Sequence, residues 1–328
     1  MKTILCCDWG TTSFRLRLVD RDTYIVHAEL LSPTGVAATF RAWKEQTEIS
    51  RFDFYSARLK SSIQELAEKN AVNTDNIPVI VSGMASSSLG MEEIPYAVLP
   101  FNINGSQASV RVFEEYNGSN APLIIVSGVR SNEDVMRGEE AQLIGLIQLN
   151  EVNLDENEEY VFVFPGTHSK HIEVKGGDMV DFRTFMTGEV FNILSEHSIL
   201  KDSVLLDNSI KLSDPAALKA FTSGVENSAE SSILHTLFTV RTAQLFGKFS
   251  KEYNSFYLSG LLIGDELRQL KPDMNRNLVI CSGKHLYEHY KIASDILRLT
   301  QKTIFIQAEL IDKATIAGQV QLFNALHN

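Results

Sequence analysis

The chain has 328 residues, 44 % hydrophobic and 22 % charged, which is enough for two domains with cores of their own and excludes disordered and fibrous classes. Its formal net charge of −11 argues against nucleic-acid and anionic-membrane partners, which demand clustered Lys and Arg. Three cysteines, Cys6, Cys7 and Cys281, make neither a disulfide framework nor a zinc spacing, and the longest apolar runs are only strand-length, so a soluble cytoplasmic protein is expected.

In chain order, residues 3–7, 13–20 and 24–31 have the apolar patterning of a three-strand meander. A polar stretch follows whose clearest helix is 54–69, and residues 41–75 carry no motif. Strand 79–81 runs into Ser82-Gly83-Met84-Ala85-Ser86-Ser87-Ser88-Leu89-Gly90, a small-residue loop of the kind that binds ligands at the carboxyl end of a strand in open α/β folds. Strand 123–126 ends in the loop 127–134. The helix 137–149 then sets Leu143, Ile144 and Ile147 on one face and Glu139-Glu140 in its first turn, where acidic side chains complement the helix dipole. It closes an expected first domain, 1–149, and the acidic stretch 150–159 reads as the linker into a second, 150–328.

The second half opens with strand 161–164, continues with strand 179–182 and turns helical at Thr187-Gly188-Glu189. Helices are expected over 215–221, 233–246 and 255–270. Strand 278–281 enters Ser282-Gly283-Lys284 and a helix over 286–299; strand 304–307 and an amphipathic helix over 313–326, expected to pack back near the hinge, complete the chain.

One piece of this pattern occurs twice. Gly10-Thr11-Thr12-Ser13-Phe14-Arg15 and Gly166-Thr167-His168-Ser169-Lys170-His171 both follow a buried strand and both lead into an alternating one, so each fits strand, tight turn, strand. Such turns offer backbone N–H groups and hydroxyls to an oxyanion, and a pair of them suits a polyphosphate gripped from two sides. Only the first copy carries a carboxylate, Asp8, where the second has Phe164, which suits Mg²⁺ held from one side. For anionic substrates the cations to watch are Arg15, Arg17, Arg130, Arg137, Lys170, Arg183 and Lys284, all in or beside turns. The eight histidines show no ligand-like pairing, which argues against a transition-metal site. Ser259-Gly260-Leu261-Leu262 and Ser282-Gly283-Lys284 read as the two walls of an adenine slot, with close helix packing through Gly260 as the alternative.

The segment from Asp8 to Arg15 is similar to the first phosphate motif of the actin-like sugar kinases. Together with Gly83-Met84-Ala85-Ser86-Ser87, the run from Asp134 to Gly145, Pro165-Gly166-Thr167-His168-Ser169-Lys170, the run from Phe182 to Glu189 and that from Leu258 to Gly264, in this order over most of the chain, it resembles the 2-dehydro-3-deoxygalactonokinase family. The resemblance implies an α/β fold of two actin-like, ribonuclease H-like lobes with an inter-domain cleft that closes on its ligands. It also implies ATP- and Mg²⁺-dependent phosphorylation of 2-dehydro-3-deoxy-D-galactonate at its terminal hydroxyl, in galactonate catabolism.

On that resemblance Asp8 is the metal-side carboxylate, against an alternative of plain turn capping. Gly10, Thr11, Thr12, Ser13, Gly166, Thr167, His168, Ser169 and Lys170 are phosphate-binding, and Ser259, Gly260, Ser282 and Gly283 border the base. Glu139 takes the place of the catalytic Asp of the FGGY carbohydrate kinases; being one methylene longer, it leaves Glu140 and Asp134 open as the base. Arg137 joins it in catalysis, and the sugar acid falls to Arg15, Met84, Ala85, Ser86, Arg183, Thr187 and Glu189, with Arg137 and Arg183 favoured for its carboxylate. The partners implied are ATP and a small sugar acid, with no nucleic acid and no membrane; a homo-oligomer stays open. Competing readings are a kinase for another sugar acid or amino sugar, and a non-catalytic actin-like ATP sensor.

Overall fold

The computed structural model describes residues 2–46, 48–270, 276–299 and 303–326. The chain divides into two compact units, Met1–Asp155 with Gly177–Asp181 and Leu310–Asn328, and Glu156–Gly176 with Phe182–Glu309.

The first unit contains β1 (Thr3–Trp9), β2 (Phe14–Asp20), β3 (Val26–Ser32), α1 (Val36–Lys44), α2 (Arg51–Asn70), β4 (Val79–Gly83), β5 (Ala97–Val98), β6 (Phe101–Asn102), β7 (Val110–Phe113), β8 (Leu123–Val126), β9 (Val129–Arg130), β10 (Val135–Met136) and α3 (Glu139–Gln148). Its main sheet runs β3-β2-β1-β4-β8-β7. β1, β2 and β3 are antiparallel neighbours, whereas β1, β4 and β8 are parallel. Central strands covered on both faces read as near-continuous apolar runs, as Ile4 to Cys7 of β1 and Val79 to Val81 of β4 do; these residues, Trp9, and Ser82 and Gly83 at the end of β4 are buried. α2 covers the sheet with Tyr55, Leu59, Ile63 and Leu66; it starts at Ser50, whose hydroxyl accepts the Asp53 N–H.

The second unit contains β11 (Glu159–Phe164), β12 (Ser169–Lys175), the end of β13 (Asp178–Phe185), α4 (Thr187–His197), α5 (Pro215–Asn227), α6 (Ile233–Leu245), α7 (Lys251–Arg268), β14 (Asn277–Cys281), α8 (Tyr287–Ile296) and β15 (Thr303–Ile306). The strand order is β15-β14-β11-β12-β13. β11 is antiparallel to β12 and parallel to β14, which is parallel to β15. Each unit therefore repeats one plan, an antiparallel meander in the order third, second, first, joined to two further parallel strands, β4 and β8 in the first unit and β14 and β15 in the second. This is the ribonuclease H-like arrangement of actin-like proteins, and the doubled turn seen in the sequence is the first hairpin of each copy.

The last helix, α9 (Ala308–Ala325), counts from Leu310 with the first unit, although the sequence division places it in the second. Its seat explains why. A Cβ on Gly145 of α3 would lie 1.7 Å from the Ala314 carbonyl oxygen, so the two helices touch backbone to backbone. The buried Gln319 amide donates to the Cys7 carbonyl and to Ser82 Oγ, both at 2.8 Å, which ties α9 to β1 and β4. Among the described residues no helix is long and apolar enough to cross a membrane.

Candidate active site

In the first unit, Gly10 N–H donates to the Ser13 carbonyl at 2.9 Å and closes the turn between β1 and β2. The register sets Asp8 opposite Arg15 on one side and opposite Ser82 on the other. Asp8 Oδ2 accepts from Arg15 Nη1 at 2.8 Å, and 19 % of its side chain is exposed. Thr11 and Thr12 are exposed and Ser13 is half-buried. The start of α1 rests on this turn: a Cβ on Gly35 would lie 2.4 Å from the Thr11 carbonyl oxygen, and Val36 and Ala37 donate to the carbonyls of Gly10 and Thr11.

β4 ends at Gly83, whose φ of +85° turns the backbone sharply beside Asp8; a Cβ there would face Asp8 Oδ1 at 3.3 Å and the Trp9 carbonyl at 3.0 Å. In the short 3-10 turn Met84–Ser86 that follows, Ala85 and Ser86 are buried and Met84 is half-buried. Arg137 is locked to this loop. Its Nη1 donates to Ser86 Oγ and, at 3.1 Å, to Ser127 Oγ, and its guanidinium lies 4.0 Å over the Tyr96 ring.

The three candidate bases have different surroundings. Glu140 is 2 % exposed and turns back to accept the Gly138 N–H with both carboxylate oxygens, at 3.0 and 2.8 Å. Burial, and next the charge of Glu139, push its pKa up to about 8. Asp134 caps its own loop by accepting the Val135 N–H at 2.7 Å. Glu139 is half-buried at the first position of α3, directly after Gly138.

The second unit builds its turn in the same way. A Cβ on Gly188 would lie 2.5 Å from the Gly166 carbonyl oxygen, and Glu189 N–H donates to the Thr167 carbonyl at 3.0 Å, so the start of α4 rests on Gly166-Thr167 as that of α1 rests on Gly10-Thr11. Nothing lies within 4 Å of the Cβ position of Gly166, and Thr167 and His168 are exposed. His168 pairs with the Glu189 carboxylate. Ser169 and Lys170, expected at the phosphate, are buried and committed elsewhere. Ser169 Oγ donates to Glu266 Oε1 and Lys170 Nζ to Thr184 Oγ1, both at 2.6 Å.

Glu266 is the feature that sequence reasoning missed. Buried at 2 % exposure, it accepts from Ser169, from His171 Nε2 at 2.9 Å, from the Thr187 hydroxyl, and from the Tyr290 hydroxyl at 2.8 Å. Burial and this carboxylate push the Tyr290 phenol well above its ordinary pKa. The signal was a charged residue on the apolar face of α7, four positions after Leu262 and three after Ile263.

A pocket of about 910 Å³ lies within the second unit. Gly166, Thr167, Thr187 and Gly188 line it, together with Ser259, Phe256, Lys284, His289 and Tyr290. The Gly166-Thr167 turn and the two expected base-binding segments thus border one cavity, the latter through Ser259 and Lys284. Gly260 itself packs α7 on α5, its Cβ position 2.2 Å from the Phe221 carbonyl oxygen. Ser282 is buried and Gly283 faces open space. His289 lies parallel to Phe256 with centroids 6.2 Å apart, and burial lowers its pKa to about 4, which keeps the ring neutral.

The expected sugar-acid residues divide between the units. Arg15, Met84, Ala85 and Ser86 stand near Asp8 and Arg137 in the first; Arg183, Thr187 and Glu189 belong to the second. Arg183 is 62 % exposed on β13 and lies 3.8 Å from Glu173.

The sequence pattern of the 2-keto-3-deoxy-galactonokinase family matches residues 8–322. The 2-dehydro-3-deoxygalactonokinase of Escherichia coli (strain K12) is 29 % identical over 300 residues, 88 % of each chain. A protein of Rhizobium meliloti (strain 1021) that provisionally carries the same name is 30 % identical over 266 residues, covering 79 % of this chain and 78 % of the relative. A crystal structure from Sinorhizobium meliloti, provisionally assigned the same activity, superposes with a TM-score of 0.77 at 24 % identity, over 98 % of this chain and 99 % of the other. With the family pattern spanning the Gly-Thr turns of both units, the chain belongs to the 2-keto-3-deoxy-galactonokinase family and is a carbohydrate kinase.

Proposed function

We propose that the chain transfers the γ-phosphoryl group of ATP to the terminal 6-hydroxyl of 2-dehydro-3-deoxy-D-galactonate, giving 2-dehydro-3-deoxy-6-phosphogalactonate and ADP in galactonate catabolism. The observation that carries the nucleotide half is the pocket of about 910 Å³, bordered by the Gly166-Thr167 turn and by Ser259 and Lys284. The family match supports the acceptor.

Among the described residues no three His, Cys, Asp or Glu side chains gather into a metal cage. Asp8, a partly exposed carboxylate paired with Arg15 on the strand that leads into the Gly10-Thr11-Thr12-Ser13 turn, instead fits Mg²⁺, which keeps most of its waters and takes phosphate oxygens. When bound, Mg²⁺ neutralises charge on the phosphates. Asp8 holds it, directly or through water. Arg137, fixed by Ser86, Ser127 and Tyr96, offers a preoriented guanidinium to the substrate carboxylate; Arg183, turned toward Glu173, is the weaker candidate. Glu139 accepts the proton of the 6-hydroxyl as its oxygen bonds to phosphorus and the bond from phosphorus to the β–γ bridging oxygen breaks.

A panel of 2-keto-3-deoxy sugar acids in a coupled ADP-release assay tests this reading. The D-galactonate derivative should turn over fastest, with the phosphate found on C6 by phosphorus NMR. Faster turnover of the C4 epimer would reassign the substrate. ATP binding without acceptor-dependent ADP release would favour the sensor.

A further inference from the structure

We propose that Glu266 is a positioning residue of the nucleotide pocket. The proposal rests on the assignment of that pocket to ATP. Four elements converge on this one carboxylate: β12 through Ser169 and His171, α4 through Thr187, α8 through Tyr290, and α7, which carries it. Thr187 and Tyr290 line the pocket, while Ser169 begins β12 two residues after Thr167. The hub therefore sits directly behind the phosphate end.

Its chemistry does more than clamp. A hydroxyl has one proton, and a carboxylate without one can only accept. Ser169, Thr187 and Tyr290 each give that proton to Glu266, so what Thr187 and Tyr290 turn toward the pocket is lone pairs. Phosphate donors at this end are then the backbone N–H groups of the Gly166-Thr167 turn, and Thr187 is left to accept from water around the phosphates. A neutral amide in the same place would have to donate two protons: with its nitrogen in the Oε2 place both the Thr187 and Tyr290 hydroxyls reverse and present protons to the cavity, and with it in the Oε1 place the Ser169 hydroxyl reverses and His171 Nε2 must accept.

The test compares full-length wild type with Glu266→Gln by calorimetric titration with Mg²⁺-ATP, by KM for ATP and for the sugar acid, and by thermal midpoint. Glu266→Gln should weaken ATP binding and raise its KM about tenfold, with the KM for the sugar acid and the midpoint close to wild type. Thr187→Val and Tyr290→Phe each remove one spoke, should raise the ATP KM severalfold, and serve if Glu266→Gln does not fold. Wild-type ATP affinity in Glu266→Gln, or in both spoke variants if it does not fold, overturns the positioning role alone. Equal shifts in the two KM values do the same, since they would mark general loosening. A wild type that binds no ATP sinks the nucleotide reading itself.

Discussion

Glu139 and Glu140 are neighbours in sequence with opposite surroundings, and the difference can be measured. Glu139→Gln keeps shape but not basicity, so kcat should fall roughly 10²–10⁴-fold with little change in either substrate affinity. A dissociative transition state draws on the base late and favours the lower end of that range. A larger loss in Glu140→Gln or Asp134→Asn, in parallel steady-state assays, would move the base to that residue. Glu140 should reveal itself through stability. Its folded pKa is raised from 4.5 to about 8, so the native state holds a proton that the unfolded chain releases. Its contribution is intact below pH 4.5 and is lost as pH rises through 8, at a slope of at most about 1.4 kcal/mol per pH unit. Urea unfolding of Glu140→Gln across this window should show a flatter pH profile than wild type; parallel profiles would mean the proton is not held. For Asp8→Asn, Mg²⁺-ATP turnover should all but vanish while circular dichroism is unchanged, and normal kcat with unaltered metal dependence would rule out the metal role.

At the scale of elements, the second Gly-Thr turn and the helix start that rests on it make unlike demands on their glycines. Gly188 has no room for a methyl, whereas Gly166 faces open space. Gly188→Ala should therefore cost about 1–3 kcal/mol in chemical unfolding, as overpacking against backbone does. Gly166→Ala should stay within about 0.5 kcal/mol of wild type yet raise the KM for ATP. The opposite ranking of the two stabilities would refute the account. These turns and their hairpins were legible in the sequence, because turn chemistry is local and period-two alternation marks the strands on either side. The two-residue strands β5, β6, β9 and β10 hold too few residues to show any period. Ser169 and Lys170, expected at the phosphate, bond to Glu266 and Thr184, pairings that position in a motif could not show. Glu266 escaped notice for a related reason: its four partners lie up to 97 residues away and meet only in the fold.

For the whole molecule, the informative contact is the one between Gln319 and the residues flanking Asp8. Its amide satisfies the Cys7 carbonyl and Ser82 Oγ in the buried centre of the first sheet. Gln319→Leu leaves both without that donor and should lower stability by about 1–3 kcal/mol in urea titration; a loss below about 0.5 kcal/mol would show that water or repacking replaces it. The repeated hairpin that opens each unit could be read from the sequence, but the return of the last helix to the first unit could not, since nothing in the amphipathic pattern of α9 names the surface it covers. That return also bears on how the protein is made. Gln319 stands 312 residues after Cys7. While the ribosome works through the intervening chain, the emerging β1, β2 and β4 lack their closing helix, and the first unit, though begun before the second, is completed after it. The strands around Asp8 would then be open to chaperones while the chain between Cys7 and Gln319 is made, until the helix that covers them leaves the exit tunnel.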